Sequence, residues 1–290
     1  MILITGATGN LGGHVLNNLL KTTDPSNIAV LVRDENKAAD LKSKGVDVRV
    51  ANFHDSAALT QAFKGITKAL LISSSDLEDR LGQHKNVIDA AKKAGVEHIV
   101  YTGVSMNDIN DSALKDFMID HYQTEDYIKD SGLTYTFLQH NLYADVIPMF
   151  IGEKALETGV FFPAGSGRIP FALRSEMGEA AANILLTDGH ENKTYKINGG
   201  ENYSFNDVAS ELSKIAGKEI PYIDADPAQF TEVLKGAGVP EGIIHFSLGF
   251  AAAMKNDDFN LQTNDLENIL GRKPATLDKF LAEAYSTQNA

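Results

Sequence analysis

At 290 residues the chain has room for one large domain, or for a nucleotide-binding domain with a smaller companion, and its hydrophobic share of 43% is that of an ordinary globule. With 39 acidic against 26 basic residues the net charge is -13, which repels nucleic acid and anionic membrane surfaces and excludes both as expected partners. The absence of cysteine removes disulfides, thiolate nucleophiles and thiolate metal sites, and the eight histidines show no metal-ligand spacing, so no metal site is expected.

The first apolar run, 2–4, reads as a strand, and it runs straight into Gly6-Ala7-Thr8-Gly9-Asn10-Leu11-Gly12 and then an amphipathic helix at 11–21. Strand, glycine loop and helix in that order form a dinucleotide site. One glycine makes the tight turn, one lets the backbone approach a pyrophosphate, and one lets the helix pack closely on the strand. The phosphates then meet the free N–H groups of the helix, where its dipole favours negative charge. Gly6, Thr8, Gly9, Asn10, Leu11 and Gly12 are therefore expected to bind cofactor.

A second strand at 28–32 ends on Arg33. An acidic residue at this place suits the ribose hydroxyls of NAD, whereas an arginine suits a 2′-phosphate, to which its planar guanidinium makes paired, charge-assisted bonds. NADP(H) is thus the expected cofactor; Lys37 adds a possible point charge, and the adjacent Asp34 is the feature that would suit NAD instead. Helix 35–44, strand 46–50, helix 56–63 and strand 68–72 follow, the last ending in Ser73-Ser74-Ser75 at the carboxyl edge, where small hydroxyl residues let a cofactor pass close. Helix 83–94, strand 98–101, helix 114–130 and strand 133–138 complete a regular alternation. Gly45 and Gly95 stand where helix ends need a left-handed residue, and Asp55 or Ser56 can cap the helix at 56–63. Near-continuous apolar strands separated by amphipathic helices predict an α/β, doubly wound parallel sheet.

After about residue 141 the pattern loosens into prolines, glycines and aromatics. A helix at 175–186 and a strand at 194–197 return to the earlier order; then come 205–216, 220–223, 227–235 and mostly helical segments to the end. The expected organisation is a nucleotide-binding domain of 1–141 plus about 175–198, and a smaller, mostly α substrate domain of about 142–174 plus 199–290, with the substrate cleft between them. No basic leader precedes the first strand and no apolar run exceeds strand length, so neither secretion nor a membrane span is expected and the cytoplasm is the default compartment. Nothing in the pattern sets an oligomeric state.

Several stretches resemble the atypical short-chain dehydrogenases/reductases of the NmrA-like group, and within it the quinone and triphenylmethane dye reductases: GATGNLGG at 6–13, LVRDENKA at 31–38, LLISSS at 70–75, QHKNVIDAAKKAGVEHIVYTG at 83–103, TEDYIKDSGLTYTFL at 124–138 and AGSGRI at 164–169. The resemblance implies a Rossmann-like domain with a small C-terminal substrate domain, NADPH as hydride donor and an acceptor such as a quinone. It also implies nicotinamide-side contacts from His140, Asn141 and Tyr143, and a role for Arg168 in enclosing cofactor or substrate. Where those reductases tend to read Leu-Arg-Asn, this chain reads Leu138-Gln139-His140-Asn141.

Most short-chain dehydrogenases use Tyr-x-x-x-Lys, yet none of the nine tyrosines here has a lysine four residues on. Anchored on Glu125, the helix that would carry the pair has Phe117 at the acid's place and His121 at the lysine's. Reducing an ordinary ketone creates an alkoxide that needs a proton, worth roughly 10²- to 10⁴-fold in rate. A quinone spreads the incoming charge over its ring and second oxygen, and a cationic dye is neutralised by hydride, so neither demands a strong acid. The expected activity is hydride transfer from NADPH to such an electron-poor, small aromatic or quinonoid acceptor. His121 and Tyr143 remain as groups able to move a proton, with a structural role the alternative for His121. Phe150, Phe161, Phe162, Phe171 and Tyr143 lie in or near segments expected to face the cleft, where flat substrates stack, although at least half of them are expected to be simple core residues. A non-catalytic NADP(H)-sensing regulator is the alternative function.

Overall fold

A computed structural model of the chain describes residues 1–286. In chain order its strands are β1 (Ile2–Thr5), β2 (Ile28–Val32), β3 (Asp47–Val50), β4 (Lys68–Ile72), β5 (His98–Val104), β6 (Thr134–His140), β7 (Val160–Phe161), β8 (Lys193–Ile197) and β9 (Tyr222–Ile223). The α-helices are α1 (Asn10–Leu19), α2 (Ala39–Ser43), α3 (Ser56–Ala62), α4 (Arg80–Ala94), α5 (Lys115–Ser131), α6 (Ile147–Ile151), α7 (Ala155–Thr158), α8 (Arg174–Leu186), α9 (Phe205–Ala216), α10 (Pro227–Gly236), α11 (Glu241–Lys255), α12 (Asp265–Leu270) and α13 (Leu277–Ser286).

Seven strands form one parallel sheet in the order β3-β2-β1-β4-β5-β6-β8, and β7 pairs with β9 in a separate two-stranded sheet. The main sheet is the doubly wound α/β arrangement expected from the alternating pattern. Because side chains alternate across a strand, Ile4, Val30, Leu70, Val100 and Leu138 pack with α1 and α8 on one face, while Leu3, Leu31, Leu71, Ile99 and Phe137 pack with α3, α4 and α5 on the other. Burial on both faces is why β2 and β5 are buried at every position. The edges differ from that expectation: β3 has no fully buried residue and β8 only Ile197, since an edge strand is covered less completely.

The helix expected at 35–44 is divided into a 3₁₀ turn, Glu35–Ala38, and the short α2, with the Asp34 carboxylate accepting from Asn36 N at the start of the turn. Helix α4 begins three residues before the expected 83, and β5 runs on to Val104. Gly45 and Gly95 adopt φ of +88° and +82°, and the Asp55 side chain accepts from Ala57 N and Ala58 N, as the turn and cap signals require.

A third apolar cluster, built around Phe150, Phe162, Phe205, Phe250 and Phe259, joins the chain after β6 to the segments after β8. Helix α12 departs from it, packing Leu266 into the sheet-side cluster. The strand order reverses between β1 and β4, which opens a crevice at their carboxyl ends, where ligands bind in open α/β sheets.

Candidate active site

Gly6 leaves β1 with φ +64°, a left-handed turn that carries no steric cost without a Cβ. Its carbonyl accepts from Gly9 N at 2.9 Å, which closes the loop. A Cβ on Gly12 would stand 2.1 Å from that same carbonyl oxygen, so the first turn of α1 rests directly on the backbone leaving the strand. Gly9 caps α1 without a side-chain hydrogen bond, and the first turn holds no acidic residue. The helix therefore presents its N-terminal amides and positive dipole end to the crevice. Thr8, Gly9 and Asn10 are exposed there, while the Leu11 side chain lies in the core and leaves only its backbone N–H for a ligand.

At the end of β2, Arg33 is exposed and makes no hydrogen bond or ion pair among the described residues. The neighbouring Asp34 Oδ1 accepts from Asn36 N at 3.0 Å, which engages one oxygen of the carboxylate that would suit an unphosphorylated ribose. Across the crevice the serine loop leaves β4. Ser73 and Ser74 are half-buried and Ser75 is exposed. Ser74 is bound inward, its Oγ donating to Gln83 Oε1 at 2.8 Å and its N to His84 Nε2 at 2.9 Å. Ser73 N donates to Thr102 Oγ1 at 3.0 Å.

The next two strand ends meet where Ser105 N donates to His140 O at 2.9 Å. Ser105 Oγ and His140 Nε2 are both buried with no protein partner, a pair of polar atoms that a ligand's polar group can satisfy. Burial pushes the His140 imidazole down to about 3, so it is neutral, and its Nδ1 lies 3.2 Å from Tyr143 Oη. The Arg174 guanidinium sits 4.5 Å from the Tyr143 ring centroid; burial pushes the phenol up to about 12, opposed by that charge. Asn141 is bound inward, its Nδ2 donating to Phe259 O at 3.0 Å and its Oδ1 accepting from Leu142 N at 2.8 Å. The first of these bonds latches the end of β6 to a segment 118 residues later in the chain.

Arg168 is engaged elsewhere. Its Nη2 donates to Asn202 O at 2.7 Å, its Nη1 lies 3.4 Å from Asp207, and its backbone N donates to Asp257 Oδ1 at 3.0 Å. The guanidinium borders an open depression of about 490 Å³ with Glu201, Tyr203 and Glu211.

His121 is buried, with Nδ1 2.9 Å from the hydroxyl of buried Tyr101; burial and the nearby Arg80 charge hold it well below the usual imidazole range. Held neutral against the Tyr101 hydroxyl, it is not a cation at the lysine's place. Phe117, at the acid's place, meets α11, with ring centroids 5.7 Å from His245 and 5.6 Å from Phe246. Of the aromatics in the segments expected to face a cleft, Phe150, Phe162 and Phe171 are core residues, in line with the expectation that at least half would be, with Phe162 fully buried between Phe150, Phe205 and Phe230. Phe161 is half-buried against Phe230. Phe246 and His245 carried no signal in the sequence, because their place beside Phe117 depends on how α11 crosses α5.

The cofactor expected from the sequence suits this surface. Arg33 after β2, the Gly12 cradle and uncapped start of α1 after β1, and the two orphaned polar atoms after β5 and at the end of β6 follow one another along the carboxyl edge of the sheet, the order in which the 2′-phosphate, pyrophosphate and nicotinamide of a dinucleotide would meet them. No group of residues able to hold a metal ion occurs among the described residues.

The sequence profile of the NmrA-like family matches residues 1–285. The chain belongs to the NmrA-like family. This NmrA-like protein is 37% identical over 290 residues to quinone oxidoreductase 2 of Escherichia coli (strain K12), covering 100% of both chains. Among solved structures it is similar to the NADPH-dependent quinone oxidoreductase of Escherichia coli complexed with NADPH, with TM-score 0.90, 35% identity and coverage of 98% of this chain and 100% of that one. It is also similar to Citrobacter sp. triphenylmethane reductase complexed with NADP(H), with TM-score 0.90, 32% identity and coverage of 98% and 99%.

One buried carboxyl behind the site gives the NmrA-like protein a pH signature. Glu125 on α5 accepts from Gln139 Nε2 at 3.0 and 2.9 Å, and burial pushes its carboxyl from an ordinary 4.5 up to about 7. As pH rises, the unfolded chain ionises this group first, so its stabilisation is complete below about 4.5 and lost as pH passes through about 7. That loss amounts to about 3 kcal/mol. Glu125→Gln is expected to flatten this part of the stability curve, measured by urea unfolding at a series of pH values. An unchanged slope would mean that Glu125 is ionised in the folded protein.

Proposed function

We propose that the protein is an NADPH-dependent oxidoreductase that transfers hydride to a quinone or similar electron-poor conjugated acceptor and works in the cytoplasm. The observation that carries this reading is the unpaired Arg33 beside the uncapped start of α1, in a chain 37% identical to a quinone oxidoreductase. No helix among the described residues is long and apolar enough to cross a membrane.

NADPH, when bound, supplies the hydride. The protein's residues hold and enclose it. The Gly6–Gly12 loop would let the backbone approach the pyrophosphate, the first amides of α1 would bind its oxygens, and Arg33 would pair with the 2′-phosphate. The loop at 73–75 walls the crevice, and Ser105 Oγ with His140 Nε2 offers polar partners deeper in. Phe117 gives the substrate side an apolar wall where the usual acid would stand, so the side chains position a flat acceptor and water supplies its protons. Holding the acceptor in alignment is then the main source of rate. The smaller unit, about 142–174 plus 199–286 of the described residues, closes the other side of the cleft, with α12 grouped instead with the sheet on which it packs.

The test is NADPH oxidation, followed by its absorbance, against a panel of quinones, a triphenylmethane dye and simple ketones. Turnover with quinones or dye but not ketones is expected. Tight NADPH binding with no oxidation by any acceptor would favour the sensing regulator.

A further inference from the structure

The serine loop is held from behind by one face of α4. Arg80, only 5% exposed, donates from Nε to Ser74 O at 2.8 Å and from Nη1 to Phe117 O at 2.9 Å and Asp120 Oδ1 at 2.7 Å. Ser74 N donates to His84 Nε2, which places the imidazole proton on Nδ1, 2.9 Å from Thr124 Oγ1; that hydroxyl donates in turn to Asp120 O at 2.7 Å. One buried cation thus joins the loop on the cofactor side of the crevice to the first turn of α5, where Phe117 stands on the substrate side.

A buried guanidinium is a poor means of stabilisation by itself, because desolvation offsets most of the attraction to its partner. It does fix geometry. The planar fork reaches two backbone carbonyls at set angles, which a lysine ammonium on a flexible stem does not reproduce. We infer that Arg80 is a positioning residue for hydride transfer, setting the gap between the Ser73–Ser75 loop and Phe117 in which nicotinamide and acceptor must align. This rests on the NADPH reading above.

Arg80→Lys is the test, measured by NADPH affinity without acceptor, by kcat and KM with a quinone, by the isotope effect with NADPH deuterated at the transferred position, and by Tm. Expected are a folded variant, NADPH affinity within a few-fold of the parent, and kcat down ~10- to 100-fold with a larger isotope effect, because misplacement by about 1 Å slows the chemical step itself. Parental kcat and isotope effect in folded Arg80→Lys would overturn the inference and leave Arg80 a purely structural residue. Should Arg80→Lys not fold, Asp120→Asn loosens the same fork, with a smaller fall in kcat and the same rise in isotope effect expected; parental values there would overturn it equally. If the parent chain neither binds nor oxidises NADPH, the cofactor reading falls and the inference with it, whereas a normal parent with unaffected variants sinks the inference alone.

Discussion

Gly12→Ala is expected to lower kcat/KM with NADPH by ~10²-fold or more, because the new methyl group would stand 2.1 Å from Gly6 O and 2.8 Å from Ala7 Cα. No side-chain rotation relieves that contact, since both neighbours are backbone, so α1 must move off the strand by about 1 Å and carry its amides away from the pyrophosphate. Gly13 supplies the control. A Cβ there meets only Ala7 O, at 3.9 Å, an ordinary contact, and its backbone is helical. Gly13→Ala should therefore leave kcat/KM near the parental value and raise stability by up to about 1 kcal/mol through helix propensity. Steady-state kinetics and thermal unfolding of the two variants side by side decide the matter. If both lose activity equally, the close approach of helix to strand is not what makes the loop work.

The second large effect is one of cofactor choice. Arg33→Ala should raise the KM for NADPH by ~10- to 100-fold, the value of charge-assisted bonds worth about 1.5–3 kcal/mol, and leave the KM for NADH within a few-fold. The structure strengthens this expectation in two ways. Arg33 is exposed and has no ion pair to give up, and Asp34, the neighbour that would suit NADH, has its carboxylate engaged at 3.0 Å with Asn36 N. Equal losses with both cofactors would return Arg33 to an ordinary surface role. High salt should also weaken NADPH binding to the parent more than to the variant, since an exposed phosphate contact is screened.

Much of the site was legible because its signals are local. The glycine loop, Arg33 at the second strand end and Ser73–Ser75 at the fourth are short stretches whose meaning follows from the element before and after them. The absence of Tyr-x-x-x-Lys is equally local. What local pattern does not show is long-range. Asn141 has the residue type of a ligand contact, but its amide is engaged by Phe259. Phe150, Phe162 and Phe171 sit in a loop-rich stretch that suggests a cleft, yet they fill the core shared with α9 and α11. Arg80 carries no motif, and its importance comes from partners 6, 37 and 40 residues away.

The sequence by itself determined the parallel α/β sheet, the placement of the glycine loop and the arginine that suits a phosphorylated ribose, because periodicity, glycine conformation and charge type act over a few residues. Tertiary structure decided which aromatics fill the core, which buried polar atoms lack a protein partner and how the loop at 73–75 is tied to Phe117. Those properties depend on how α4, α5, α8 and α11 pack. A side chain's burial and hydrogen-bond partners are set by whatever distant segment arrives beside it, and local pattern carries no record of that arrival.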